Sequence, residues 1–156
     1  MDLNETELRA WRSFLRTHSH VIRVLDAELA AERGLSLSTY EILLVLAHSP
    51  GRAVRMSDLA GEMLLTRSGM TRAIDQLQTK GLVERRRCPS DGRGYLAALT
   101  EEGYDELKRA APTHVRGVRE HFTSRLDATQ LDTLACALEQ IGASHSGVKP
   151  PSPQTP

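Results

Sequence analysis

Residues 56–103 read MSDLAGEMLLTRSGMTRAIDQLQTKGLVERRRCPSDGRGYLAALTEEG, and the fold turns on this stretch. Its first part holds two short helices around a tight turn. Ser57 is placed to cap DLAGEML. Thr66 is placed to cap a second helix that carries Met70, Ala73, Ile74 and Leu77 on one face and ends at Gly81. Those are the dimensions of a helix-turn-helix. LVERRR and YLAAL then read as two short strands, with the turn-rich CPSDGRG between them. A hairpin directly behind a helix-turn-helix is a wing.

Working outward, the upstream residues Leu8, Trp11, Leu15, His18, Ile22, Leu25 and Leu29 recur at spacings of three and four. They form one stripe of an amphipathic helix from about Glu5 to Arg33, which Gly34 is placed to end. A second helix starts at Ser36 or at Ser38, the latter making a capping box with Glu41. It runs through ILLVL to His48, where Ser49-Pro50-Gly51 stops it. Downstream, Thr100 caps a helix that opens on Glu101-Glu102, with the acids near its positive end. Leu107, Ala111, Val115, Val118 and Phe122 mark its expected buried stripe, and Pro112 is expected to kink or interrupt it. Asp127 and Gln130 open a last helix with Leu131, Leu134, Leu138 and Ile141. From Ser144 the chain is polar and Pro-rich, and reads as a disordered tail.

The fold class is therefore mainly α with a small β-wing. The first helix and the last two lie far apart in sequence, each with an apolar stripe, and the winged region is too small to cover them all. Burial against a second copy of the chain is the economical solution, so a homodimer is expected.

Composition narrows the function classes. At 156 residues there is room for one domain with a core and little for a second. No apolar run is long enough to span a bilayer, and MDLNETELRAW is too acidic and polar for a secretion signal, so a cytoplasmic protein with no membrane partner is expected. The formal net charge is zero, but it is unevenly spread. From Arg52 to Arg93 nine Lys/Arg face five Asp/Glu, a net of +4 that the rest of the chain cancels. A basic middle between acidic ends is the footprint of a DNA-facing segment, although a solvated charged face reads equally well from charge alone. Six histidines are present without a nucleophile elbow, phosphate loop or HExxH pattern, and no length remains for a catalytic domain. No enzyme activity, catalytic residue or cofactor is expected.

The stretch 56–103 resembles the winged-helix core of the MarR family of bacterial regulators. The residues that carry the resemblance are Thr66-Arg67-Ser68-Gly69-Met70-Thr71-Arg72, the helix exit Lys80-Gly81-Leu82-Val83, the wing motif Asp91-Gly92-Arg93-Gly94, and Leu99-Thr100 with Gly103 after it. The flanking helices match the family's dimerisation elements, so the likeness covers roughly Glu5 to Ile141. It implies one domain over 1–143, a winged helix-turn-helix (about 36–100) flanked by N- and C-terminal dimerisation helices (about 5–33 and 101–142), with 144–156 as the tail. It further implies a sequence-specific transcriptional regulator, a repressor in preference to an activator. Such a protein binds a pseudo-palindromic double-stranded DNA operator as a homodimer. The wing departs from the family pattern in one respect: it reads Asp-Gly-Arg-Gly where many members have Asp-Arg-Arg, so one basic side chain is missing.

The expected DNA surface follows. With Met70, Ile74 and Leu77 turned inward, Thr66, Arg67, Ser68, Thr71 and Arg72 lie at the start and outer face of the recognition helix. Short hydroxyls there approach a base edge or phosphate, and an arginine binds guanine O6 and N7. Arg85, Arg86 and Arg87 alternate across a strand, so one or two reach phosphates, and Arg86 is the ambiguous one. By resemblance Arg93 reaches into the minor groove, with Asp91 holding its guanidinium or shaping the turn. A small phenolic or carboxylate effector is expected between the dimerisation helices and the winged region, where Trp11, Arg12, Arg16 and His18 are the candidate lining. At this spacing Trp11 is more often dimer core. The alternative is a metal- or thiol-responsive regulator of the same fold. His114 and His121 share a helix face with His18 and His20 on another helix, but no acidic and histidine cluster is apparent and no metal is expected. Cys88 lies beside Arg86 and Arg87, and Cys136, between Leu134 and Leu138, reads as packed core.

Overall fold

The computed structural model describes residues 2–63, 67–88 and 94–143. Thr66, Asp91, Arg93 and the expected tail from Ser144 lie outside the described residues. Helix α1 (Glu5–Arg33) opens on a capping box in which the Asn4 side chain and Glu7 exchange hydrogen bonds with each other's backbone amides. It ends at Gly34, whose φ of +62° is the left-handed conformation a glycine takes without penalty. Helix α2 (Leu37–His48) is capped by the Ser36 hydroxyl, which accepts from the Thr39 amide, and not by a box at Ser38. The Asp26 carboxylate of α1 accepts from the Leu37 amide at 2.7 Å, so α1 also holds the start of α2.

A short turn over Pro50–Arg52 leads into β1 (Ala53–Arg55), a strand absent from the sequence reading. Helix α3 (Met56–Glu62) follows without a break. Its N-cap is Arg55 with no side-chain cap, and Ser57 lies inside the helix with its hydroxyl on Asp58 Oδ1. The expected Ser57 cap is thus corrected: strand β1 runs directly into the helix and leaves no turn in which a serine could cap. Helix α4 (Arg67–Thr79), strands β2 (Val83–Arg87) and β3 (Tyr95–Leu99), and helix α5 (Glu101–His121) come next, then a turn over Thr123–Arg125 and α6 (Ala128–Ala143). The sheet has the order β1-β3-β2, antiparallel throughout, with Ala53 opposite Ala98 and Val83 opposite Leu99.

The chain divides into two compact units after Val118. The first has a core of Leu29, Ile42, Leu43 and Leu46 against Leu59, Met70, Ile74, Leu77 and Val83, all essentially inaccessible. Each such side chain contributes about 1.5–3 kcal/mol by leaving water. Helix α5 is not interrupted at Pro112. That residue and Lys108, whose carbonyl loses its partner amide there, are both exposed, so water can satisfy the carbonyl. The expected stripe of α5 holds at Leu107, which is buried, and at Val118, which packs against the core, but the buried face as a whole is shifted from it. That face is Gly103, Leu107, Ala110, Thr113 and Gly117, whereas Val115 is exposed. Small residues are needed because α1 comes close: a Cβ on Gly117 would lie 2.6 Å from Leu25 Cδ2 and from Glu28 Oε2. In the second unit, the Asp127 side chain accepts from the Gln130 amide and Gln130 returns the bond to the Asp127 amide, which makes the expected cap for α6.

Candidate nucleic-acid interface

Helix α4 is amphipathic in the required sense. Met70, Ala73, Ile74 and Leu77 are buried, and Ser68, Thr71 and Arg72 are exposed on the other side. Arg67 begins the helix. Arg72 has no ion-pair partner among the described residues. The helix ends in a Schellman arrangement: the Leu82 amide donates to the Leu77 carbonyl at 2.9 Å and the Gly81 amide to the Gln78 carbonyl at 3.0 Å, with Gly81 at φ +71°.

The three arginines of β2 have different employment. Arg85 donates to Asp75 of α4 at 2.6 Å, which joins the strand to the helix and cancels a carboxylate that phosphate would repel. Arg86, on the opposite face of the strand, donates to Glu84 at 2.6 Å. Arg87 is exposed and has no ion-pair partner among the described residues. Alternation along the strand was legible in the sequence. That Asp75 and Glu84 would occupy Arg85 and Arg86, while Arg87 has no such carboxylate among the described residues, was not. At the base of the wing the Cys88 amide donates to the Gly94 carbonyl at 2.9 Å.

The candidate effector residues lie along the exposed first half of α1. Trp11, Phe14 and His18 stack in a ladder, with ring centroids 6.1 and 6.0 Å apart. Arg12 and Arg16 sit on a different side of the helix and are exposed. Within one chain all four candidates are exposed on this one helix. Among the described residues no three His, Cys, Asp or Glu side chains converge as a metal site. His114 instead stacks on Tyr40 at 4.6 Å, and burial holds its imidazole below the ordinary range. Cys88 is buried and Cys136 exposed in the single chain, so Cys136 is not packed core within one chain. No helix among the described residues is long and apolar enough to cross a membrane.

Known proteins show the same arrangement. The model of the MarR family matches residues 33–94. Sco3205, a MarR family transcriptional regulator of Streptomyces coelicolor solved in complex with DNA, is 36% identical with a TM-score of 0.86, over 93% of this chain and 94% of that one. AbsC, a MarR family transcriptional regulator of the same organism, is 36% identical with a TM-score of 0.85, over 95% of this chain and 99% of that one. YdgJ, an HTH-type transcriptional regulator of Bacillus subtilis, is 32% identical over 100 residues, which are 64% of this chain and 60% of that protein's length.

Proposed function

The chain belongs to the MarR family of transcriptional regulators, and from that premise we propose that it is a homodimeric, sequence-specific repressor of a pseudo-palindromic operator. The observation that carries the reading is helix α4. Four apolar side chains seat it, while Ser68, Thr71 and Arg72 face outward and Arg72 has no ion pair among the described residues. A helix so presented fits the major groove, where an arginine reads guanine and short hydroxyls let the backbone approach. By the resemblance to the family, Thr66 and Arg67 are assigned to the same DNA contact. Arg87 adds a phosphate contact from the wing strand. Arg86 reaches phosphate only by giving up Glu84. Arg93 enters the minor groove with Asp91 orienting it. Repression follows from occupancy, because a dimer seated over a promoter excludes polymerase.

The homodimer is supported by α1, where Trp11, Phe14, Leu15 and Ile22 are exposed along one helix. Apolar surface of that extent is normally covered by a partner. A small phenolic or carboxylate effector, with Trp11, Arg12, Arg16 and His18 as its candidate contacts once a second chain is present, acts by preferring one separation of the two reading heads. The protein works in the cytoplasm and carries out no catalysis. Footprinting on DNA around its own gene should protect two half-sites about one helical turn apart. Equal affinity for scrambled duplex at physiological salt would defeat the proposal.

A further inference from the structure

The exit of α4 is gripped from two sides. On one side Lys80 Nζ donates to the Gly34 carbonyl at 2.6 Å, at the left-handed turn that ends α1. The last carbonyls of a helix carry partial negative charge, so an ammonium group is at home there. On the other side the Thr100 hydroxyl donates to the Gly81 carbonyl at 2.8 Å and accepts from the Gly103 amide at 2.9 Å. The Thr100 amide donates to the Leu82 carbonyl at 3.2 Å. A Cβ on Gly103 would lie 2.0 Å from that same Leu82 oxygen, so the backbone leaving α4 rests directly on the first turn of α5. The two gripping helices are themselves joined nearby, where Arg33 of α1 donates to both carboxylate oxygens of Glu106 of α5.

This joint differs in kind from the seat of α4. Met70, Ala73, Ile74 and Leu77 hold the helix by apolar packing, which is not directional. Hydrogen bonds at its exit are directional and tie it to α1 and α5, the helices outside the reading head. We propose that Lys80 and Gly103 are positioning residues that transmit the placement of α1 and α5 to the tilt of α4, and so set the half-site spacing the dimer reads. The inference rests on the reading as a DNA-binding homodimer.

The test is affinity across a series of operators whose half-site spacing changes one base pair at a time, at fixed salt, alongside melting temperature. Lys80→Met keeps the aliphatic stem and removes the donor, whereas Lys80→Arg keeps a donor. Gly103→Ala forces the Leu82 carbonyl away. Lys80→Met should lower the discrimination between best and next-best spacing by roughly fivefold or more, with melting unchanged, and Lys80→Arg should restore it. Gly103→Ala should move or flatten the optimum. If Lys80→Met weakens all spacings by one factor, Lys80 is only a phosphate contact or a strut and the inference is overturned. It is equally overturned if Lys80→Met and a folded Gly103→Ala both discriminate as the unmodified protein does. Should Gly103→Ala fail to fold, Lys80→Met against Lys80→Arg decides. If the unmodified protein itself shows no preferred spacing, the proposed function fails first and the inference with it.

Discussion

At the scale of single residues, chemistry divides side chains of the same type into different duties. Arg72 and Arg85 are both exposed to some degree, on and beside α4, yet among the described residues only Arg85 is answered by a carboxylate, Asp75. Arg72→Ala should therefore weaken operator binding by on the order of 1–3 kcal/mol and relax preference at one base position, as competition binding on operator variants would report. Arg85→Ala should instead change melting slightly and leave base preference intact. His114 is a second case. Its ring lies on Tyr40, its Nδ1 is buried with no hydrogen-bond partner among the described residues, and the Glu28 carboxylate sits one turn along, over Gly117. Burial lowers the imidazole pKa, so between that value and about 6.5 the unfolded chain takes up a proton that the folded one refuses. Stability is then lost as pH falls through that window. His114→Phe, which keeps a ring on Tyr40, should flatten the fall of melting temperature between about pH 7 and about pH 5. An unchanged slope would place the acid sensitivity elsewhere.

The elements show where local chemistry suffices and where it does not. Caps and terminators at Gly34, Ser36, Gly81, Thr100 and Asp127 are local, so the main helices and the wing hairpin could be read off with near-final boundaries. Strand β1 could not, because Ala53–Arg55 has no pattern of its own and is a strand only through β3, far along the chain. The buried face of α5 was in part misread, for a related reason. Apolar bulk suggested Val115, whereas the nearness of α1 demands Gly117 and Ala110. The arginines of β2 repeat the lesson at the interface: their alternation is local, but their partners depend on register and on α4. What joins α1 to α5 is ionic as well as steric. Burial alone would raise the Glu106 pKa, but hydrogen bonds from Arg33 and Arg109 outweigh it and hold the carboxyl below the usual range. A carboxyl so lowered stabilises the fold above its unfolded value and stops doing so as pH falls through its folded value. Glu106→Gln should cost about 1–2 kcal/mol at neutral pH, and less in acid, by denaturant titration. An equal cost at both would show that shape, not charge, matters there.

For the whole molecule the decisive question is what covers α1. Trp11→Glu places a charge at the first ring of the exposed aromatic ladder. Light scattering should then give the mass of one chain, and affinity for a two-half-site operator should fall by about tenfold or more, because the second contact is no longer tethered to the first. A dimer that survives this change would not be built on that ladder. Strand order adds a consequence of another sort. Since β1 lies against β3 and not at a distance from it, α3, α4 and β2 are enclosed between two paired strands. A reading head cannot be excised as residues 56–88, for that cut discards both strands that complete the sheet. The shortest self-sufficient piece also carries α2, whose Leu43 and Leu46 lie beneath α4 in the core. The two ends of that piece lie at neighbouring residues of the α4 exit, Gly34 at Lys80 and Thr100 at Gly81. Chain ends that emerge together suit insertion into a loop of a host protein. This head is therefore built for grafting as a module within another chain, with both connections short, more than for fusion end to end.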